Sequence, residues 1–238
     1  MRIYLKVGIL YSGGKDSTYA AYIAKQQGHE LTCLITMIPE SSESYLFHYP
    51  NIDWTDLQSQ ALDIPIVKTN LRTVGESEVQ ELAKAIKKAK EKHFFEGIVT
   101  GGLASVYQKD RIEAVCNEAG LEAISPSWMT DPEEYMQNII KSGFKVMIVG
   151  VAAEGLDMNW LGRIINEEMI DELKELNHRF EININFEGGE AETYTLDSPL
   201  FKKRIEIQEM KMHWFNNYGF LEIKNARLVD KALNTQKS

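Results

Sequence analysis

The sequence holds 238 residues, 44% of them hydrophobic and 26% charged, and its 35 acidic against 26 basic side chains give a formal net charge of −9. That balance describes a globular chain able to bury one large core or two smaller ones, and no apolar run approaches the roughly 18 residues of a membrane-spanning helix. The acid excess argues against long contacts with a nucleic-acid backbone, though not against a local basic site.

In chain order, Lys6–Tyr11 reads as a buried strand and Ser17–Gln27 as a helix, with Ser12-Gly13-Gly14-Lys15-Asp16-Ser17 in the turn between them. Strands follow at Leu31–Ile38, Ile64–Lys68, Gly97–Gly101, Glu122–Ile124 and Lys145–Val151. Helices alternate with them at Trp54–Leu62, Glu76–Glu91, Ser105–Ala119 and Pro132–Ser142. Near-continuous Val, Ile and Leu runs mark strands buried on both faces, so the expected fold is α/β with a doubly wound, mostly parallel sheet. After Val151 the pattern changes to a helix near Asn166–Arg179 and two alternating runs, Lys203–His213 and Phe220–Val229. The turn Asn216-Asn217-Tyr218-Gly219 joins those runs, which predicts a hairpin in a smaller C-terminal α+β unit. The division is placed at residues 1–130 and 131–238, with the boundary between 130 and 155. Cys33 and Cys116 lie far apart in apolar segments and read as inert buried thiols of a reduced, cytoplasmic protein. Met1–Leu10 is too short and too soon interrupted for a signal peptide.

The first turn carries the chemistry. A strand-to-helix turn aims backbone N–H groups and the positive end of a helix at one spot, which makes an anion site. Gly13 and Gly14 admit a close approach, Lys15 adds a charge, and Ser12 and Ser17 add hydroxyls. The run resembles the PP-loop, SGGxDS, of the ATP pyrophosphatases, which cleave ATP between its α and β phosphates. Ligands of such sheets bind beyond the carboxyl ends of the strands. ATP is therefore expected against Tyr11, Ser12, Gly13, Gly14, Lys15, Asp16 and Ser17, the second-strand pair Thr36 and Met37, and the fourth-strand pair Gly101 and Gly102. Asp16 is read as a ligand of Mg²⁺, as a favourable charge at the helix start, or as both.

Further runs narrow the family. They are Tyr45-Leu46-Phe47-His48-Tyr49-Pro50-Asn51; Gly101-Gly102-Leu103-Ala104-Ser105 with Tyr107-Gln108 and Arg111; Leu156-Asp157 with Trp160-Leu161-Gly162-Arg163; and Glu187-Gly188-Gly189-Glu190-Ala191-Glu192-Thr193 with Asp197-Ser198-Pro199-Leu200-Phe201. Together they resemble the diphthine–ammonia ligase family over essentially the whole chain. The resemblance implies ATP-dependent amidation of diphthine on translation elongation factor 2 by ammonium, through an acyl-adenylate, with release of AMP and pyrophosphate. It implies a short form of archaeal type, since eukaryotic members carry extra C-terminal domains. It also implies catalytic roles for Lys15, Asp16 and Glu190, and substrate contacts from His48, Asn51, Tyr107, Trp160, Glu187, Gly188, Gly189, Glu190, Glu192 and Thr193. Ala191 departs from the aromatic residue of some members.

Residue chemistry fits that picture in part. The carboxylates Glu187, Glu190 and Glu192 suit the trimethylammonium group of diphthine, and Trp160 or Tyr194 can add cation–π contact. His48 reads equally as a base or as a structural residue. Asn51 is a helix cap or a ligand contact, with Asp53 the better-placed cap. Two other readings are another PP-loop reaction on tRNA, thiolation or lysidine-type ligation, and a non-catalytic adenine-nucleotide sensor. Neither cysteine has the context that thiolation needs. Oligomeric state is not legible, and a homodimer stays open.

Overall fold

The computed structural model describes residues 4–39, 51–71 and 76–231. Five strands build a parallel sheet: β1 (Lys6–Leu10), β2 (Glu30–Pro39), β3 (Ile66–Leu71), β4 (Gly97–Val99) and β5 (Glu122–Ile124), in the spatial order β3-β2-β1-β4-β5. Helices α1 (Lys15–Gln26), α2 (Thr55–Leu62), α3 (Glu76–His93) and α4 (Val106–Glu118) connect them. The strand order reverses between β1 and β4. At such a switch point the two connecting segments leave in opposite directions and open a crevice at the strands' carboxyl ends. The Ser12–Ser17 turn and the Thr100–Gly102 turn lie side by side at that crevice.

The central strands are buried on both faces, as their apolar runs require; Val7, Ile9, Leu34, Ile35, Ile98 and Val99 are all buried. Cys33 and Cys116 sit in the same interior, where burial pushes both thiols up to about 11. They are inert at neutral pH.

A second, antiparallel sheet follows, with β6 (Lys145–Val151), β7 (Ala191–Asp197), β8 (Lys203–Phe215) and β9 (Tyr218–Asp230) in the order β7-β6-β9-β8. Helices α5 (Pro132–Lys141) and α6 (Glu167–Phe180) pack on it. Local chemistry fixes their starts. The Asp131 carboxylate accepts the amides of Glu133 and Glu134 ahead of Pro132, and Asn166 caps α6 through the Met169 amide. The β8–β9 hairpin turns at Asn216, which takes a left-handed conformation (φ 44°).

Two expectations need correction. Lys145–Val151 does not extend the parallel sheet; it is the second strand of the antiparallel one. Its run is continuously apolar because Val146, Ile148 and Val151 face one hydrophobic cluster while Met147 and Val149 face another. Burial on both faces erases the alternation that marks an ordinary antiparallel strand. Ala191–Asp197, read only as a site motif, is a strand as well.

Candidate active site

The crevice is a cleft of about 440 Å³ with two walls. One is the Ser12–Ser17 turn with Gly101 and Gly102; the other is the segment from Phe186 to Thr193. Each wall owes its shape to identifiable contacts.

In the first wall Gly13 is left-handed (φ +84°), and a side chain there would meet Gln58 Oε1 at 2.3 Å. Its carbonyl accepts the Gln58 amide at 2.8 Å and the Thr195 backbone N–H at 3.0 Å. Gly101 lies so close to the first turn of α1 that a Cβ would stand 2.6 Å from the Asp16 carbonyl carbon. The Ser17 hydroxyl accepts the Ser12 N–H at 3.2 Å and donates to the Gly14 carbonyl at 3.3 Å. Three amides in the turn are therefore already engaged: Ser12 by Ser17, Gly14 by the Ser12 hydroxyl at 3.4 Å, and Lys15 by Thr193, whose hydroxyl accepts at 3.0 Å. The expectation that successive amides of the turn all face an anion is corrected to that extent.

Charge converges at the floor. Lys15 is only 2% exposed, and its ammonium donates to Asp16 Oδ2 at 2.9 Å. The other Asp16 oxygen accepts the hydroxyl of Tyr135, a fully buried residue of α5, at 2.9 Å. Glu192 lines the same cleft from β7, opposite Gly150, where a side chain would collide with its Cβ at 3.1 Å. Burial pushes the Glu192 carboxyl up to about 7; Lys15 opposes the rise and Asp16 adds to it.

The second wall is a loop held by its own side chains. Glu187 Oε1 accepts the amides of Ala104 at 3.2 Å and Leu103 at 3.4 Å, bridging the wall to the start of α4. Glu190 Oε1 accepts the Asn183 amide at 2.8 Å, while its other oxygen is buried without a partner. Phe186 and Gly189 both take positive φ, which turns the chain twice within four residues.

Of the residues singled out by sequence, Tyr11, Ser12, Gly14, Lys15, Asp16, Ser17, Met37, Gly101, Gly102, Glu187, Gly188, Gly189, Glu192 and Thr193 line the cleft. The others stand apart. Gly13 lies behind the turn as described. Thr36 is fully buried and donates to the Tyr11 carbonyl at 2.7 Å. Asn51 takes the place of a neighbouring strand for β9: it donates to the Leu221 carbonyl and accepts the Ile223 amide, each at 2.9 Å. It caps no helix by its side chain. Trp160 is buried in the core around β6 with Arg163 over its ring, so its face is not offered to a ligand. Tyr107 is exposed on α4, next in sequence to the cleft-lining Gln108 and under the Arg111 guanidinium. Glu190 holds the shape of the second wall. His48 lies outside the described residues. Among the described residues no three His, Cys, Asp or Glu side chains converge as a metal-binding group.

Sequence reasoning missed Gln58 and Tyr135. Both act on the first turn from a distance in sequence, and nothing local distinguishes them from ordinary helix residues.

Comparison with known proteins identifies the family. Residues 5–123 match the model of the diphthamide synthase N-terminal domain, and residues 131–229 match that of the diphthamide synthase C-terminal domain. A mouse protein named diphthine–ammonia ligase is 32% identical over 254 residues, which cover 96% of this chain and 94% of that protein. Its human counterpart is 31% identical over 98% of this chain and 94% of its own length. The fission-yeast protein of that name is 33% identical over 95% of this chain, a stretch that makes up 40% of that longer protein. The extra length expected of eukaryotic members thus belongs to the yeast relative and not to the mammalian ones. On these matches, the chain belongs to the diphthamide synthase, or diphthine–ammonia ligase, family.

Proposed function

We propose that this protein amidates diphthine on translation elongation factor 2, using ATP and ammonium and releasing AMP and pyrophosphate. The observation that carries the reading is the pairing of the two walls. A glycine-rich turn with a buried lysine faces an acidic, glycine-rich loop across one cleft, and the Lys15–Thr193 hydrogen bond joins them.

The chemistry follows from that arrangement. ATP lies along Ser12–Ser17 with its adenosine toward Met37, Gly101 and Gly102. The diphthine carboxylate attacks the α-phosphorus and pyrophosphate leaves, its growing charge met by Lys15 and the N-terminus of α1. Ammonia then attacks the acyl carbon, loses a proton and displaces AMP. Asp16, in the turn, would help hold Mg²⁺ beside the triphosphate once its bonds to Lys15 and Tyr135 give way, and the ion would neutralise phosphate charge there. Glu187 and Glu192 face the diphthine end and attract its trimethylammonium group. In this reading residues 1–130 serve the nucleotide and residues 131–238 the acceptor, in the cytoplasm. No helix among the described residues is long and apolar enough to cross a membrane.

The test is incubation with ATP, Mg²⁺, ammonium and diphthine-bearing elongation factor 2, followed by mass measurement of the modified histidine. Conversion of a carboxylate to an amide lowers the mass by about one unit. Formation of ADP in place of AMP would overturn the reading.

A further inference from the structure

We infer that the rim formed by the start of α4 and the Ser127–Thr130 turn is the docking surface for the folded body of the protein substrate. The inference rests on the function proposed above and names where that substrate's remaining surface goes.

The cleft itself is too small for a protein. At about 440 Å³ it falls within the range of small-molecule pockets, about 300–1,000 Å³, enough for a nucleotide and one side chain. A protein that inserts one modified side chain must rest its backbone on the cleft's mouth. Beside the cleft-lining Gln108 and the Leu103–Glu187 contact the chain exposes apolar side chains: Val106 is 60% exposed, Tyr107 63% and Met129 70%. Such side chains scattered singly need no explanation, but a cluster beside a site marks an interaction surface.

Hydrogen bonds make these residues one unit with the site. The Met129 amide donates to the Leu103 carbonyl at 2.8 Å. The next two backbone positions bind Glu187 in the opposite wall, since the Leu103 and Ala104 amides donate to its carboxylate. Gln108, one turn into α4, lines the cleft. Lys109 lies over the ring of Trp128 at 4.5 Å and ties α4 to the 127–130 turn. Rim and cleft are therefore continuous through Leu103 and Ala104.

The backbone adds an independent observation. Met129 holds a left-handed conformation (φ +58°), which costs a residue with a Cβ about 1–2 kcal/mol. Phe94 shares both exposure and positive φ, but its turn ends α3, where a left-handed residue is usual. Met129 ends no helix. Its strain places a large apolar side chain in water at the lip of the site, and a protein partner that covers it recovers the hydrophobic burial.

The test uses two substitutions that the fold accepts. Met129→Gly removes the side chain and relieves the left-handed strain. Val106→Glu puts an acid at the first position of α4, where the helix dipole favours it. Both variants should melt at or above the wild-type temperature. With diphthine-bearing elongation factor 2, each should lose about tenfold or more in kcat/KM, through KM. With a short peptide carrying the same modified histidine, kcat/KM should stay within twofold, as should KM for ATP. Equal losses on peptide and protein, or none on either, would overturn the docking surface while leaving the amidation intact. A wild-type protein that amidates neither substrate removes the proposed function, and the docking surface with it.

Discussion

Both walls of the cleft are rich in glycine, and the reasons differ. In the first wall neighbours dictate glycine at Gly13 and Gly101, while Gly102 has only Thr100 Oγ1 near it, at 3.9 Å. A Cβ at Gly13 would strike Gln58, and one at Gly101 would press into the backbone of Asp16 and Ser17. In the second wall Gly189 has nothing within 4 Å of its missing Cβ, and a Cβ at Gly188 would meet the carboxylate of Glu190, a side chain of the same loop, at 2.6 Å. The first wall is thus a packed part of the parallel sheet, rigid before any ligand arrives. The second is a loop shaped by backbone conformation and by its own acids. Under the proposed function, the packed wall would take the phosphates and the loop held by its own acids the acceptor.

The largest expected effect lies in the rigid wall. Lys15→Met keeps the buried stem but removes the charge that the proposed reaction sets against the leaving pyrophosphate. Turnover should fall by about 10²–10³, the usual loss of one preorganised stabiliser, with the melting temperature little changed. AMP release measured beside a thermal melt decides it: unchanged turnover in a folded variant takes Lys15 out of the mechanism.

A pair of alanine substitutions tests the contrast directly. At Gly101 the new Cβ meets backbone atoms of Asp16 and Ser17 at 2.6–2.7 Å, so α1 must shift against β4. Overpacking of this kind costs about 1–3 kcal/mol, and the displaced turn should lose nucleotide affinity as well. At Gly189 only the left-handed backbone (φ +83°) resists, worth about 1 kcal/mol. Gly189→Ala should leave nucleotide affinity within twofold. Equal losses of nucleotide binding in both variants would refute the distinction between the walls.

Glu192 lies where the walls meet, and its titration reports their electrostatic coupling. An ordinary glutamic acid titrates near 4.3, whereas burial holds this one up to about 7. Between those values the unfolded chain has released the proton while the folded chain keeps it. Folding is thus unpenalised below about pH 4 and loses stability as pH rises, until the loss levels off above about 7. Glu192→Gln removes the charge and the penalty together. The variant should match the wild type at pH 4 and exceed it by about 2 kcal/mol at pH 8, allowing for partial exposure of the group. Denaturant midpoints of both proteins at the two pH values measure the difference, and a margin over the wild type no larger at pH 8 than at pH 4 contradicts it.

The two walls also differ in how far the sequence announces them. The turn of the first wall is local. Strand, glycine turn, lysine and helix follow each other from Lys6 to Gln26, and each element formed within a residue or two of its expected bounds. What the local pattern omits is the support brought from afar, by Gln58 on α2, Tyr135 on α5 and Thr193 on β7. The second wall is an assembly of distant pieces. Its acids were visible, but their targets were not: Glu187 reaches amides 84 and 83 residues earlier, and Glu190 turns back to Asn183. Asn51 illustrates the same limit. Its side chain satisfies the edge of β9, whose backbone lies 170 and 172 residues away, and no pattern near Asn51 could have shown that edge. Composition and periodicity specify elements; they do not specify which distant backbone groups need a partner.

The smallest expected effect comes from the bond that joins the walls. Thr193→Val keeps the shape and the strand preference of the side chain but deletes the acceptor for the Lys15 amide. In the free protein that N–H then lacks its partner at the start of α1, a loss of about 1 kcal/mol by analogy with a removed helix cap. A phosphate oxygen in the turn can take the vacant place. Binding of a non-hydrolysable ATP analogue should therefore raise the melting temperature more in the variant than in the wild type, closing most of the gap between them. If instead the gap stays the same with and without the analogue, Thr193 still holds the Lys15 amide in the bound state. The phosphate would then be gripped by the remaining amides of the turn and by the lysine side chain, with the second wall fixed to the first throughout the reaction.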